Sequence, residues 1–364
     1  MRVCSPLHPG PGTVLGRAPA IGGLGRAPRG MLEPGGAMTK DPLLQIDDVV
    51  VRFRMGRRKL TAVDHVSLSI ARGETVGLVG ESGSGKTTLG LTVMRAHDPD
   101  HGRIVFDGVD LTALSQRELR PLRRRMQMIF QDPYASLDPR MKVGTIVSEP
   151  MRVHGLGSKE EIRERAESLL EAVGLPRNAM DRYPSQFSGG QKQRVSIARA
   201  LALDPELLVA DEPVSALDVS IQAQVIAILE EVRQQFGLTS LIIAHDLALV
   251  YQVTDRIAVM YLGQIVETGP TDRVVFDPQH PYTAALLSAS PVADPAQERK
   301  RQRIVLYGDP PSPIDPPSGC RFHTRCPIAR HICSEHAPPL TEVAPGRQVA
   351  CHFAGEIGPV LGEE

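Results

Sequence analysis

An α/β fold organised on a mostly parallel sheet is predicted by two features of the chain. Short apolar runs at 75–79, 207–210 and 241–244 have the length and composition of strands buried on both faces. Helical periodicity lies among them, with Ile162, Ala166, Leu169, Leu170 and Val173 on one face and Val225, Ile228, Leu229 and Val232 on another. Strands that alternate with helices imply right-handed crossovers and place a ligand beyond the carboxyl ends of the strands.

The other elements follow in chain order. Residues 1–40 are rich in Pro, Gly, Arg and Ala and poor in aromatic and β-branched residues. Such a segment buries too little apolar surface to offset its ordering entropy, so a disordered leader without function is expected, with Met1, Met31 or Met38 as the start. Residues 49–53 and 66–70 read as strands, the second alternating strictly. Ile104, Val105 and Phe106 run into Asp107-Gly108, a strand entering a turn. Residues 126–130 form another strand, ending at Gln131. From 143 to 183 the pattern is helical, and Ser158 with Glu161 makes a capping box that Gly174 complements at the far end. Residues 257–261 and 264–267 predict a hairpin about Leu262-Gly263. Beyond Pro270, with Pro310, Pro311, Pro313, Pro316 and Pro317 close together, an appendage with few regular elements is expected. No internal repeat is present.

Composition narrows the class. A length of 364 residues allows two domains, or one with additions. With 41 Lys and Arg against 42 Asp and Glu, there is no basic footprint for nucleic acid. No apolar run is long enough for a transmembrane helix, and Arg2 is followed by no secretory apolar region. Four of the five cysteines fall at 320–351. In a chain expected to be cytoplasmic, that favours a metal or cluster over a disulfide framework.

The chemistry centres on Gly80-Glu81-Ser82-Gly83-Ser84-Gly85-Lys86-Thr87-Thr88, placed directly after the first buried strand. It fits G-x-x-x-x-G-K-[ST] at every fixed position. Backbone N–H groups in such a loop, with the helix N-terminus behind them, form a concave phosphate site. Lys86 would reach the β- and γ-phosphates, and the Thr87 hydroxyl would ligate Mg²⁺. Asp211-Glu212 ends a second buried strand. There Asp211 can hold Mg²⁺ opposite Thr87, and Glu212 can deprotonate an attacking water. Ser188-Gly189-Gly190-Gln191 is a capping box whose paired glycines leave bare N–H groups at a helix start, a second anion site.

In these motifs the chain resembles the ATP-binding-cassette (ABC) ATPases, over about 44–270. Phe187-Ser188-Gly189-Gly190-Gln191 is similar to their signature motif, with Phe in place of the commoner Leu. Gln131 matches the Q-loop, Asp211-Glu212 the Walker B strand and catalytic glutamate, Ser215-Ala216-Leu217-Asp218 the D-loop, and His245 the switch histidine. The resemblance implies a P-loop NTPase fold with a RecA-like mixed-sheet core, an antiparallel β subdomain and a helical subdomain at about 132–190. It also implies that two cassettes pair head to tail, with Ser188, Gly189, Gly190, Gln191 and Asp218 acting on the partner's ATP. Gln131 would join the Mg²⁺ shell, and His245 would contact the γ-phosphate. Phe53 matches the aromatic that stacks on adenine; the alternative is an ordinary strand core residue.

A narrower resemblance is to the oligopeptide/dipeptide importer ATPases, closest to their second ATPase subunit. It rests on residues 131–140, 213–224 and 280–283, and on Pro316-Pro317-Ser318-Gly319-Cys320 and Arg325-Cys326-Pro327 in a Cys- and Pro-rich extension at 271–364. Cys320, Cys326, Cys333 and Cys351 supply the four thiolates that a [4Fe–4S] cluster needs, and the importer family is similar in carrying one. His323, His331, His336 and His352 keep zinc as a rival, and free thiols remain the third reading. The resemblance implies a partner ATPase forming a heterodimer, two permeases and an extracytoplasmic peptide-binding protein. Membrane contact would run only through the permeases, at the cytoplasmic face. The alternatives are nickel or another small solute as cargo, or a cassette acting on nucleic acid or ribosomes.

Overall fold

The computed structural model describes residues 41–215, 217–289, 304, 306 and 308–357. The expected leader at 1–40, with its candidate starts, and Ala216 of the 215–218 segment lie outside the described residues.

β1 (Pro42–Met55) and β2 (Arg58–Ala71) form a long antiparallel hairpin that includes the expected strands at 49–53 and 66–70. β3 (Thr75–Val79) is buried throughout and leads through the 80–88 loop into α1 (Lys86–Val93). β4 (His101–Phe106) and β5 (Val109–Asp110) join the hairpin in a four-stranded antiparallel sheet of order β2-β1-β4-β5. α2 (Gln116–Arg125) precedes β6 (Met126–Ile129), which stops one residue short of the expected Phe130. The helical insertion holds α3 (Pro133–Ser136), α4 (Val143–Val153), α5 (Lys159–Ala172) and α6 (Gly189–Leu201). Then come β7 (Leu207–Asp211), α7 (Val219–Phe236), β8 (Thr239–Ala244), α8 (Leu247–Tyr251), β9 (Arg256–Tyr261) and β10 (Gln264–Pro270). The tail contributes α9 (Thr271–Phe276), α10 (Pro281–Ala289), a short helix His331–Glu335, β11 (Thr341–Ala344) and β12 (Arg347–Val349).

The main sheet has the order β11-β12-β10-β9-β3-β8-β7-β6. β9, β3, β8, β7 and β6 pair in parallel, while β10, β12 and β11 are antiparallel additions. The sheet is therefore mixed. Alternation along β7 sends Leu207 and Val209 to the core beneath the antiparallel sheet, and Leu208 and Ala210 to the core of the helical insertion. Period-two geometry does this in any strand covered on both faces.

One helix goes unread in the sequence, and one expectation needs correcting. α2 carries no apolar stripe, because only Leu119 is buried and Pro121 sits inside it; periodicity alone misses it. Its start is a capping box of Ser115 and Glu118, the local signal that reveals it. The tail, expected as an appendage with few regular elements, extends the main sheet through β12 and shares its core. Phe322 is buried against Tyr261 of β9 and Tyr282 of α10, with ring centroids 5.3 and 5.4 Å away. Strands of three and four residues and a single anchoring aromatic leave little periodic trace in a sequence.

The tail is also pinned by a buried ion pair. Arg347 Nη2 donates to Glu267 Oε1 at 2.8 Å, and the two side chains are 5 % and 0 % exposed. Glu267 accepts further bonds from the backbone of Gln279 (3.1 Å) and His280 (3.0 Å). Losing one partner of such a pair strands a buried charge, so Arg347→Met is expected to cost about 3–5 kcal/mol of unfolding free energy. Glu267→Gln in the same chain keeps an acceptor without the charge and should recover part of the loss, as urea denaturation would measure.

Candidate functional site

The 80–88 loop is shaped by crowding on both sides. A Cβ at Gly80 would lie 2.1 Å from the Met260 carbonyl oxygen, and one at Gly85 would lie 2.1 Å from that of Ala62. Gly85 also has φ +101°, a conformation that L side chains rarely adopt, and caps α1. Only glycine suits both places. Lys86 is buried and folds back over the loop, its ammonium donating to the carbonyls of Gly80 (2.7 Å) and Glu81 (2.8 Å) and to Ser84 Oγ (3.3 Å). Burial pulls its pKa below the ordinary lysine value, while Glu212, Asp211 and Glu81 pull the other way.

Across the sheet, β7 delivers two carboxylates. Thr87 Oγ1 donates to Asp211 Oδ1 at 3.0 Å, joining the helix after the loop to the strand end. Burial raises the Asp211 pKa, the Thr87 bond opposes that rise, and the neighbouring Glu212 charge adds to it. Glu212 adopts φ +42°, uncommon for a residue with a side chain, at the point where the strand turns. Gln131 Nε2 donates to Glu212 Oε2 at 2.9 Å, and His245 Nδ1 stands 3.5 Å from the same oxygen. Five residues singled out in the sequence, Thr87, Gln131, Asp211, Glu212 and His245, thus gather beside Lys86.

The other candidates are held by contacts of their own. Ser188 is exposed, and its box is complete: Gln191 N–H donates to Ser188 Oγ at 3.3 Å, and Ser188 N–H to Gln191 Oε1 at 3.1 Å. Gly190 has a packing reason as well, because a Cβ there would sit 2.4 Å from Ile221 Cγ2. Asp218 is exposed at the start of α7. Phe53 is half-buried on β1 opposite Leu60, its ring edge-on to His97 at 5.3 Å.

Cys320, Cys326, Cys333 and Cys351 all line one cavity, together with His323 and His352. Both histidines spend a ring nitrogen on a backbone carbonyl, His323 on that of Cys320 (2.8 Å) and His352 on that of His336 (2.9 Å). His331 points to solvent beside Glu335. Burial pushes the thiols of Cys326 and Cys351 up to about 11 and raises that of Cys320, while backbone N–H groups act in the opposite sense. Among the described residues, no group of three or more His, Cys, Asp or Glu is arranged to hold a single metal ion.

Sequence reasoning missed one part of this region. Arg325 of the tail grips Glu81 inside the phosphate loop, and the Tyr282 hydroxyl accepts the Glu81 backbone N–H at 2.7 Å. The contacts span 244 and 201 positions, so no local pattern could announce them.

Residues 63–215 match the ABC transporter family, and residues 266–333 match the family described as the oligopeptide/dipeptide transporter C-terminal region. A putative peptide import ATP-binding protein of Brucella ovis is 54 % identical over 86 % of this chain and 98 % of its own length. The oligopeptide transport ATP-binding protein AppF of Bacillus subtilis is 49 % identical over 87 % of this chain and 99 % of its own. Among solved structures, the dimeric post-hydrolysis state of the ATP-binding cassette MJ0796 bound to ADP and Pi is similar with a TM-score of 0.58. It is 30 % identical and covers 63 % of this chain and 98 % of that one.

Proposed function

This chain belongs to the ABC transporter ATPases, and we propose that it is the ATP-hydrolysing subunit of a peptide importer, powering uptake of oligopeptides or dipeptides. The observation that carries the mechanism is the convergence of Gln131 and His245 on Glu212, one residue beyond the Asp211–Thr87 contact. In this reading residues 80–88 cradle the phosphates, and Lys86 exchanges its carbonyl contacts for phosphate oxygens. Thr87 and Asp211, with Gln131, have the hydroxyl, carboxylate and amide oxygens that suit Mg²⁺, which when bound neutralises charge building on the phosphates. Glu212 takes the proton of the attacking water, while Gln131 and His245 hold the carboxylate and the γ-phosphate region in register. Phe53 stacks on adenine. Ser188, Gly189, Gly190, Gln191 and Asp218, away from this chain's own cradle, act on the nucleotide of a second cassette paired head to tail.

One relative is named for peptide import and another for oligopeptide transport, and the C-terminal family is described as that of an oligopeptide/dipeptide transporter. Two permeases and an extracytoplasmic peptide-binding protein are the partners that this role requires, with a second, non-identical ATPase completing the pair. No helix among the described residues is long and apolar enough to cross a membrane. In this reading the subunit attaches at the cytoplasmic face through the permeases. The domain plan that goes with this reading is a cassette at 44–270, with its helical subdomain at about 132–190, and a transporter extension at 271–364.

The extension is proposed to hold a [4Fe–4S] cluster on Cys320, Cys326, Cys333 and Cys351. Four thiols facing one cavity, with backbone N–H groups directed at the sulfurs, fit such a group. A cluster supplies the positive charge that lets buried, otherwise protonated thiols ionise. A tetrahedral zinc, at about 2.3 Å from each sulfur, needs its ligands much closer together than a four-iron cluster does.

Three outcomes test these assignments. Lys86→Ala should lose tight nucleotide binding, whereas Glu212→Gln should bind ATP, accumulate closed dimers and turn over about 10²–10⁴-fold more slowly; wild-type turnover would remove Glu212 as the base. In vesicles carrying the permeases and binding protein, ATP should drive uptake of labelled peptide, and nickel uptake without peptide uptake would overturn the cargo. Anaerobically purified protein should be brown and contain iron and sulfide; colourless protein with stoichiometric zinc rules out the cluster.

A further inference from the structure

Glu81 is the single acid of the 80–88 loop, and it is placed where the proposed function seats a triphosphate. Its carboxylate lies within electrostatic reach of the Lys86 ammonium. Left alone, it would repel the same anion that Lys86 attracts. The chain meets this conflict from the tail. Arg325 Nη1 donates to Glu81 Oε2 at 2.9 Å and Nη2 to Oε1 at 3.2 Å, a two-pronged pair with the arginine side chain only 8 % exposed. Tyr282, fully buried on α10, fixes the backbone of the same residue through its hydroxyl. The buried Tyr261 side chain lies against the same guanidinium and interacts with it, so Tyr261 and the fork to Glu81 together hold it in place. A planar guanidinium suits this task better than an ammonium, because it binds both carboxylate oxygens at once.

We propose that Arg325 is a positioning residue for nucleotide binding, neutralising Glu81 and holding its carboxylate off the phosphate cradle. Through it the C-terminal extension sets the nucleotide affinity of the cassette. The inference rests on the ATPase reading and adds a role for the tail in it.

The test is equilibrium titration of the full-length protein with Mg²⁺ and a fluorescent, non-hydrolysable ATP analogue. Arg325→Gln should weaken binding about tenfold. Adding Glu81→Gln to that variant removes the stranded carboxylate and should bring affinity back to within about threefold of wild type. Arg325→Lys keeps the charge, loses the fork and should fall between, which covers the case in which the glutamine variant does not fold. A residue that merely docks the tail would lower the unfolding temperature, and removing its partner would rescue nothing. Wild-type affinity in Arg325→Gln, or a double variant as weak as the single one, overturns this inference while the ATPase reading stands. Failure of the wild type itself to bind the analogue overturns both.

Discussion

Everything at the nucleotide end of this molecule depends on two backbone contacts that leave no room for a side chain. Gly80 lies against the carbonyl of Met260 on β9, and Gly85 lies against the carbonyl of Ala62 on β2. The phosphate loop is thus wedged between the main sheet and the antiparallel sheet, and both sheets must be in place for it to have its shape. This explains why the hairpin of β1 and β2 is so long. It must carry Ala62 across to the loop while its other end pairs with β4. A loop held by backbone crowding keeps its N–H groups aimed at one point with little further cost in entropy when a ligand arrives.

Charge is arranged around that wedge with comparable economy. Lys86 and Asp211 share a poorly solvated corner with Glu212: burial lowers the Lys86 pKa and raises that of Asp211, and the Glu212 charge pushes both upward. The same logic applies at the tail, where Glu267 draws an arginine and two backbone N–H groups into the core. Buried pairs of this kind contribute little net stability, but removing one partner is costly because the other charge is left uncompensated.

Much of this was legible in the sequence, and the reasons differ by element. Buried strands such as 75–79 and 207–210 declared themselves because both faces are covered, which makes their apolar runs continuous. The capping boxes at Ser158 and Ser188 were readable because capping is local chemistry. Helix α2 was not, since Leu119 is its one fully buried side chain and Leu122 its one further apolar contact with the core. Nor were the partners of Glu81, because Arg325 and Tyr282 arrive from the far end of the chain and only folding brings them near. Gly190 illustrates a third case: its presence invited an anion-binding explanation, and its crowding against Ile221 adds a steric one that no sequence pattern separates from the first.

The hairpin of β11 and β12 has a consequence for the behaviour of the molecule in a crowded solution. Without it, β10 would be the outermost strand, seven residues long and almost wholly buried, offering unpaired amides to any passing chain. With it, the outer edge is a four-residue strand, Thr341–Ala344, fully exposed and carrying Glu342. Short, charged edges resist strand addition. The tail therefore guards the sheet against self-association, and a cassette cut back to its ATP-binding core should be prone to aggregate.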